Sequence, residues 1–193
     1  MRHRYIAYWV TAPAVLFGIL LFTPHAARAH CDTMDGPVVK AAQKALATGN
    51  ANLVLIWVQK KDEAQIKERF RQTLAVRRLN REARNLADNY FFETLVRLHR
   101  AGEGEPYTGI EPAGTDLGPV IPLADKALQD GSPEALLKLF ATPAQADIQM
   151  RLQDVKARKN FNENDVEAGR EFVKAYVSFM HYVEHLYEEG HKT

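Results

Sequence analysis

The chain contains two stretches that match each other. "GPVVKAAQKALATGN" (residues 36–50) aligns without gaps with "GPVIPLADKALQDGS" (residues 118–132), and eight of the 15 positions are identical. The offset of 82 residues continues more weakly downstream, where His99 falls on His181. A period of this length is too long for a simple solenoid and indicates an old duplication. We therefore expect two related halves, residues 36–101 and 118–193.

Proline and glycine mark the ends of the first helix in each half. Pro37 and Pro119 follow a glycine and suit the first helical position, where the missing N–H is not needed. Gly49 and Gly131 then suit the position just after the helix, which is often left-handed. Both copies therefore predict a short first helix with defined ends.

Each half as a whole predicts four helices. "ANLVLIWVQ" (51–59) resembles a buried strand, but its partner "PEALLKLFA" (133–141) has a helical pattern and favours helix for both. Third helices are expected near 62–79 and 143–159, and apolar fourth helices near 81–100 and 165–189. The prediction is an all-α helical bundle, a pseudo-twofold pair of halves whose fourth helices face each other. A Gly/Pro-rich linker, residues 102–117, joins them.

The first 29 residues have the pattern of an export signal. Arg2 and Arg4 precede an apolar run, and Ala27-Arg28-Ala29 resembles a cleavage site. The alternative is an uncleaved membrane anchor, because the apolar run is just long enough to span a bilayer. Cleavage would leave 22 of the 25 Lys and Arg residues against 24 Asp and Glu, a net charge of −2. We expect an exported protein, periplasmic or extracellular, with no field that attracts nucleic acid or an anionic membrane.

Histidines occupy equivalent positions in the two halves. His99 and His181 are related by the repeat, and His185 lies one helical turn beyond His181, a spacing at which two imidazoles can reach one metal ion. The counterpart of His185 in the first half is Glu103. These four residues form a plausible ligand set for Zn, Ni, Cu or Fe. The alternative is structural: His99 would cap the end of a helix, and His181 would be a hydrogen-bonded core residue.

The lone cysteine of the chain follows directly on the predicted cleavage site. A chain that begins at His30 offers an α-amine and an imidazole on one residue, with the Cys31 thiolate next to them. Such a set favours nickel, copper or zinc. Asp32 and Asp35 could add oxygen ligands, or they could accept hydrogen bonds from the groups that bind the metal. Two alternatives stay open: Cys31 forms a disulfide with another chain, or residues 30–35 are a flexible end.

Residues 30–36, "HCDTMDG", resemble the metal hook of nickel superoxide dismutase, which begins His-Cys-Asp and is carried on a helical bundle. The resemblance implies that His30 and Cys31 ligate nickel. The second cysteine ligand of that family corresponds to Asp35 here, so one of its two thiolates is absent. The "HCDTMDGPVV" start and the "FFETLVRLHRAGEGEPYTG" segment also resemble an uncharacterised family of exported bacterial helical proteins, a domain of unknown function.

The function expected from these patterns is binding of a transition metal ion (nickel, copper or zinc) by an exported helical protein. Redox activity of the superoxide dismutase type is an extension of that reading. The predicted ligands are His30, Cys31, His99, His181 and His185, in a composite site if residues 30–35 fold back onto the duplicated histidines. The alternative is a non-catalytic helical binding or scaffold module, with Cys31 free or in an intermolecular disulfide. Self-association into a homo-oligomer stays open.

Overall fold

The structure, a computed structural model, describes residues 30–191. The predicted signal peptide, residues 1–29, lies outside the described residues. Over residues 30–191 the chain is all-α, as predicted, and the only β-type pairing there is an isolated bridge between Thr33 and Glu111. No helix in this part of the chain combines the length and the hydrophobicity that a membrane crossing requires.

In the part of the chain that the structure describes, eight α-helices follow a short 3₁₀ turn at His30–Asp32. In chain order they are α1 (Pro37–Thr48), α2 (Asn52–Leu55), α3 (Glu63–Val76), α4 (Arg81–Glu103), α5 (Val120–Asp130), α6 (Glu134–Leu137), α7 (Thr142–Arg158) and α8 (Val166–Gly190). A second 3₁₀ turn, Lys60–Asp62, leads into α3.

The predicted helix ends are present, except that Pro119 lies one residue before α5, which begins at Val120. Pro37 is the first residue of α1, and Gly49 and Gly131 end α1 and α5 in the left-handed conformation, with φ of 75° and 82°. The fourth helices begin at side-chain caps: Asn80 and Asp165 accept hydrogen bonds from the backbone amides of Ala83 and Ala168. Local sequence therefore accounts for where these helices start and stop.

The helices pack as two groups. Helix α4 packs on α1 and α3, and α8 packs on α5 and α7. Across the two groups α8 contacts α2, whereas α4 and α8 are not a principal packing pair among the described helices. The expected face-to-face arrangement of the fourth helices therefore stays a prediction. The approach of α2 to α8 depends on Gly169, where a Cβ atom would collide with Ile56.

The core is continuous through both groups. It includes the fully buried side chains of Phe91, Leu95, Phe179 and Ile148, together with Trp57 from the turn after α2. Burial of this apolar surface is the main force that holds the helices together. Two charged residues, Asp32 and Arg100, are also buried, and they mark the region where polar chemistry concentrates.

Candidate functional site

Residues 30–35, the N-terminal segment, are held in place by the loop that joins the two groups of helices. The backbone amide of Met34 donates to the carbonyl of Glu111 (2.9 Å), and the amide of Glu111 donates to the carbonyl of Asp32 (2.8 Å). Asp35 accepts a further hydrogen bond from the amide of Gly114 (3.1 Å). The loop is thus an ordered crossover, and the N-terminal segment is packed rather than a flexible end.

Gly36 allows the N-terminal segment to turn tightly into α1. A Cβ atom at this position would collide with the carbonyl oxygen of His30 and lie 2.9 Å from the hydroxyl of Thr33. Thr33 in turn donates to the His30 carbonyl (3.3 Å). The turn brings Cys31 into the core with 6% of its surface exposed. Burial, with the charges of Glu103 and Asp32, raises the pKa of its thiol well above the usual value.

A small cavity lies between the N-terminal segment and α8. Four of its lining residues have side chains that bind metals: His30, Cys31, His181 and Glu184. The rest of the lining is Ile121, Tyr176, Val177 and Met180. The cavity volume is about 10 Å³, close to the minimum that holds one water molecule, so a single metal ion is compatible with its size. Burial raises the pKa of Glu184 to about 7, with the nearby Glu188 charge acting in the same direction.

His30 is oriented by a carboxylate. Its Nε2 atom lies 2.6 Å from Asp125 Oδ2, and the other carboxylate oxygen of Asp125 accepts a hydrogen bond from the hydroxyl of Tyr176 (3.1 Å). The second ring nitrogen, Nδ1, is buried and has no hydrogen-bond partner among the described residues. An imidazole held by a carboxylate on one side, with the other nitrogen free, has the arrangement common to metal-binding histidines.

Beside the cavity lies a buried arginine. Arg100 is 2% exposed; its Nη1 donates to Glu103 (3.0 Å), and its Nε lies 3.4 Å from Asp32, within ion-pair range but without hydrogen-bond geometry. Glu105 lies further out, 3.7 Å from Nη2. Arg100 lies in the last turn of α4 and is one of the buried residues of that helix.

The carboxyls that surround Arg100 are harder to ionise than usual. Burial raises the pKa of Asp32 to about 6 and that of Glu103 to about 7, against the opposing effect of the Arg100 charge. At neutral pH the pair therefore does not carry two full negative charges. The summed charge of Asp32, Glu103 and Arg100 is therefore close to zero.

His99 is a neutral, buried imidazole. Its Nδ1 donates to the backbone carbonyl of Trp57 (2.9 Å), since a carbonyl can only accept, and Nε2 is left with a lone pair. Nε2 lies 3.3 Å from Oε1 of Glu103, and a proton held by Glu103 gives both atoms a partner. Burial lowers the pKa of His99 to about 4, so the imidazolium cap considered from sequence does not form at neutral pH.

The predicted ligands are thus distributed over three places. His30, Cys31 and His181 line the small cavity, and burial followed by the Arg100 charge lowers the pKa of His181. His99 lies behind Trp57, paired with Glu103. The side chain of His185 is 67% exposed on the surface, 3.2 Å from Glu189. In residues 30–191, no three or more His, Cys, Asp or Glu side chains are already arranged to hold a metal ion.

Sequence reasoning missed Asp125, Arg100 and Glu184 as parts of this region. A signal existed for Asp125: it replaces Gln43 within the best-matching stretch of the repeat, so the two copies differ in charge at that position. Glu184 lies three residues after His181, a helical spacing that places both side chains on one face. Nothing local distinguishes Arg100 from the exposed arginines of α4.

The fold and this region define an all-α protein whose buried ionisable residues gather around its N-terminal segment. The chain belongs to a family of unknown function (DUF6448), whose model matches residues 35–182. No curated protein and no solved structure matches it. Because the family match begins at Asp35, His30 and Cys31 precede it, and the resemblance to the nickel hook stays a prediction.

Proposed function

We propose that the protein is an exported metal-binding protein whose ion lies in the small cavity between the N-terminal segment and α8. The observation that carries the proposal is that His30, Cys31, His181 and Glu184 line one cavity of about 10 Å³. Imidazole, thiolate and carboxylate together suit nickel, copper or zinc. Because these side chains are not already arranged around one point in the described residues, they would have to rotate to bind one ion.

The arrangement of His30 supports a chelate at the start of the mature chain. With Nε2 held by Asp125, the free nitrogen is Nδ1, the one nearer the backbone. Removal of residues 1–29 by a signal peptidase would add the α-amine of His30, which can share an ion with Nδ1. Such cleavage and a periplasmic or extracellular location are parts of the proposal.

Cys31 would supply sulfur only after losing its proton. Its raised thiol pKa makes spontaneous ionisation unfavourable, but a bound divalent ion displaces the proton. With one thiolate instead of two, the site departs from the nickel hook, and superoxide chemistry is a further hypothesis to be tested after metal binding. His99, with Nδ1 held by a backbone carbonyl, remains a candidate ligand of a larger composite site.

We also propose that the two groups of helices arose by duplication. Shifted by 82 residues, the bounds of α2 coincide with those of α6, and the bounds of the other three helix pairs agree within five residues. The packing of α4 on α1 and α3 likewise corresponds to that of α8 on α5 and α7. The cavity proposed to hold the metal ion would then lie between α8 of the second half and the N-terminal segment, which only the first half has.

The test is metal analysis of protein exported through its own leader and purified without a chelating step. Intact mass establishes whether the chain begins at His30, and elemental analysis counts metal per chain. We expect near-stoichiometric metal in the wild type, and its loss in Cys31→Ser and His181→Ala. His185→Ala is the matched control, since it removes an exposed histidine from the same helix one turn away, and it should keep its metal.

Two results would refute the proposal. One is a chain that starts at His30 and binds no nickel, copper or zinc even after titration. The other is metal retained by Cys31→Ser and His181→Ala but lost in His185→Ala. Circular dichroism on each variant separates loss of metal from loss of fold.

The alternative function is a non-catalytic helical binding or scaffold module. Its disulfide form predicts a covalent dimer on a non-reducing gel that Cys31→Ser abolishes and His30→Ala leaves intact. The burial of Cys31 opposes that form, because a thiol with 6% exposure cannot reach another chain without local opening. The free-cysteine form agrees with the structure and is tested by the same metal analysis.

A further inference from the structure

A second, larger cleft opens on the other side of His30. It has a volume of about 570 Å³, within the range of small-molecule sites in proteins. It lies between the two groups of helices, with α1 on one side and α5 and α8 on the other. The feature does not depend on a metal ion.

One wall of the cleft is aromatic. The rings of Phe172 and Tyr176 stack with centroids 6.1 Å apart, and Trp57 meets Tyr176 edge to face at 6.1 Å. All three residues line the cleft, with Leu128 beside them. A wall of this kind favours a flat apolar group, because aromatic rings bury a large area and hold a ring partner in preferred orientations.

The rim of the cleft is basic. Lys40 and Lys159 line it, and Lys159 is anchored by a hydrogen bond from Nζ to the carbonyl of Leu128 (2.8 Å). The acidic residue of the cleft, Asp125, is already occupied: His30 and the hydroxyl of Tyr176 contact its two oxygens. The two lysines outnumber this single carboxylate, so the charged side chains that line the cleft leave a net positive charge, which complements an anion.

We infer that this cleft binds a small aromatic carboxylate, with the ring against Trp57, Phe172 and Tyr176 and the carboxylate toward Lys40 and Lys159. Charge complementarity at the rim selects the anion over a neutral molecule of the same shape. The aromatic wall supplies the buried area, and the lysines supply the selectivity.

Trp57 provides the readout, because it lines the cleft and is the only tryptophan of the chain after residue 29. The probe is phenylbutyrate, compared with its neutral analogue phenylbutanol, titrated into exported protein in the presence of a chelator. We expect a saturable change in tryptophan emission, with phenylbutyrate bound on the order of fivefold tighter than phenylbutanol. Neither compound absorbs where tryptophan is excited, so the change reports binding.

Lys40→Gln should weaken phenylbutyrate about threefold and leave phenylbutanol unchanged, because an exposed ion pair contributes only modestly. The matched control is Lys126→Gln, which removes an exposed lysine of α5 that does not line the cleft. Equal affinity for the two compounds overturns the inference, as does the absence of a saturable change. Equal weakening by Lys40→Gln and Lys126→Gln also overturns it, since binding would then follow overall charge. The chelator keeps this result separate from the metal proposal.

Discussion

Replacement of Arg100 by methionine should destabilise the protein strongly at mildly alkaline pH and only slightly at acidic pH. Methionine keeps much of the aliphatic volume of a side chain that is 2% exposed, but it removes a guanidinium that lies within ion-pair distance of both Asp32 and Glu103. A buried carboxyl that loses its partner must either stay charged without compensation or keep its proton. Keeping the proton costs less free energy than staying charged.

The magnitude follows from the pKa values. Each pH unit over which a carboxyl stays protonated above its unfolded pKa costs about 1.4 kcal/mol of folding free energy. In the wild type Asp32 titrates near 6 and Glu103 near 7, and without Arg100 both values rise further. At about pH 8 the added cost is up to about 3 kcal/mol for Asp32 and about 1 kcal/mol for Glu103. The total agrees with the 3–5 kcal/mol found when one partner of a buried ion pair is removed.

The sign of the pH dependence is definite. Because both folded pKa values are raised, the folded state binds more protons than the unfolded chain, and stability falls as pH rises through those values. At about pH 5 both carboxyls are already largely protonated in the wild type, so Arg100→Met should lose only about 1 kcal/mol there, from packing.

Urea denaturation at the two pH values measures both losses. Arg97→Met, one turn earlier on α4 and exposed, is the matched control and should change stability by less than about 0.5 kcal/mol at either pH. A loss for Arg100→Met that is the same at both pH values would refute the reasoning. So would a loss no larger than that of Arg97→Met.

Three further predictions concern packing, the thiol and metal binding. Gly169→Ala should lower stability by about 1–3 kcal/mol despite the better helix propensity of alanine, because the new Cβ collides with Ile56; Gly190→Ala, with open space around it, should be neutral or stabilising in the same thermal melts. In native buffer Cys31 should react with a thiol reagent far more slowly than in urea, because burial raises the pKa of its thiol. Equal rates in native buffer and in urea would contradict this. Zinc affinity of the exported protein should rise steeply with pH and release protons on binding, which calorimetry in two buffers measures; a pH-independent affinity would exclude Cys31 as a ligand.

The sequence predicts the helices well because their ends are local. Glycine after α1 and α5 and the asparagine and aspartate caps of α4 and α8 act within a few residues, and the repeat resolved the ambiguous segment after Asn50 in favour of helix. The register of the third helices was also close, with α3 and α7 each within about three residues of the expected bounds. These features need no knowledge of tertiary contacts.

The candidate site was harder to predict from the sequence than the helices, because the contacts that define it are long-range. Residue type and spacing singled out His30, Cys31 and His181 as candidate ligands, and the three line one cavity. The pairing of His30 with Asp125 and the burial of Arg100 depend on how the two groups of helices meet. Identical local patterns also do not fix the angle between two packed units, so the expected face-to-face packing of the fourth helices stays a prediction. His185 shows the limit of helical spacing, since one turn separates it from His181 but its side chain points outward.

The hydrogen bonds between the N-terminal segment and the crossover loop have a consequence for the order of folding. Residues 30–34 contact Arg100, Glu111 and Asp125, which lie far along the chain. The segments that surround residues 30–34 are therefore synthesised much later than those residues. Contacts of such long range form late, after local helices have paired. His30 and Cys31 would remain solvent-exposed until the second group of helices has assembled around them. If the chain is exported before it folds, and if it binds a metal ion as proposed, the metals available at its destination, and not those of the cytoplasm, would decide which ion it takes up.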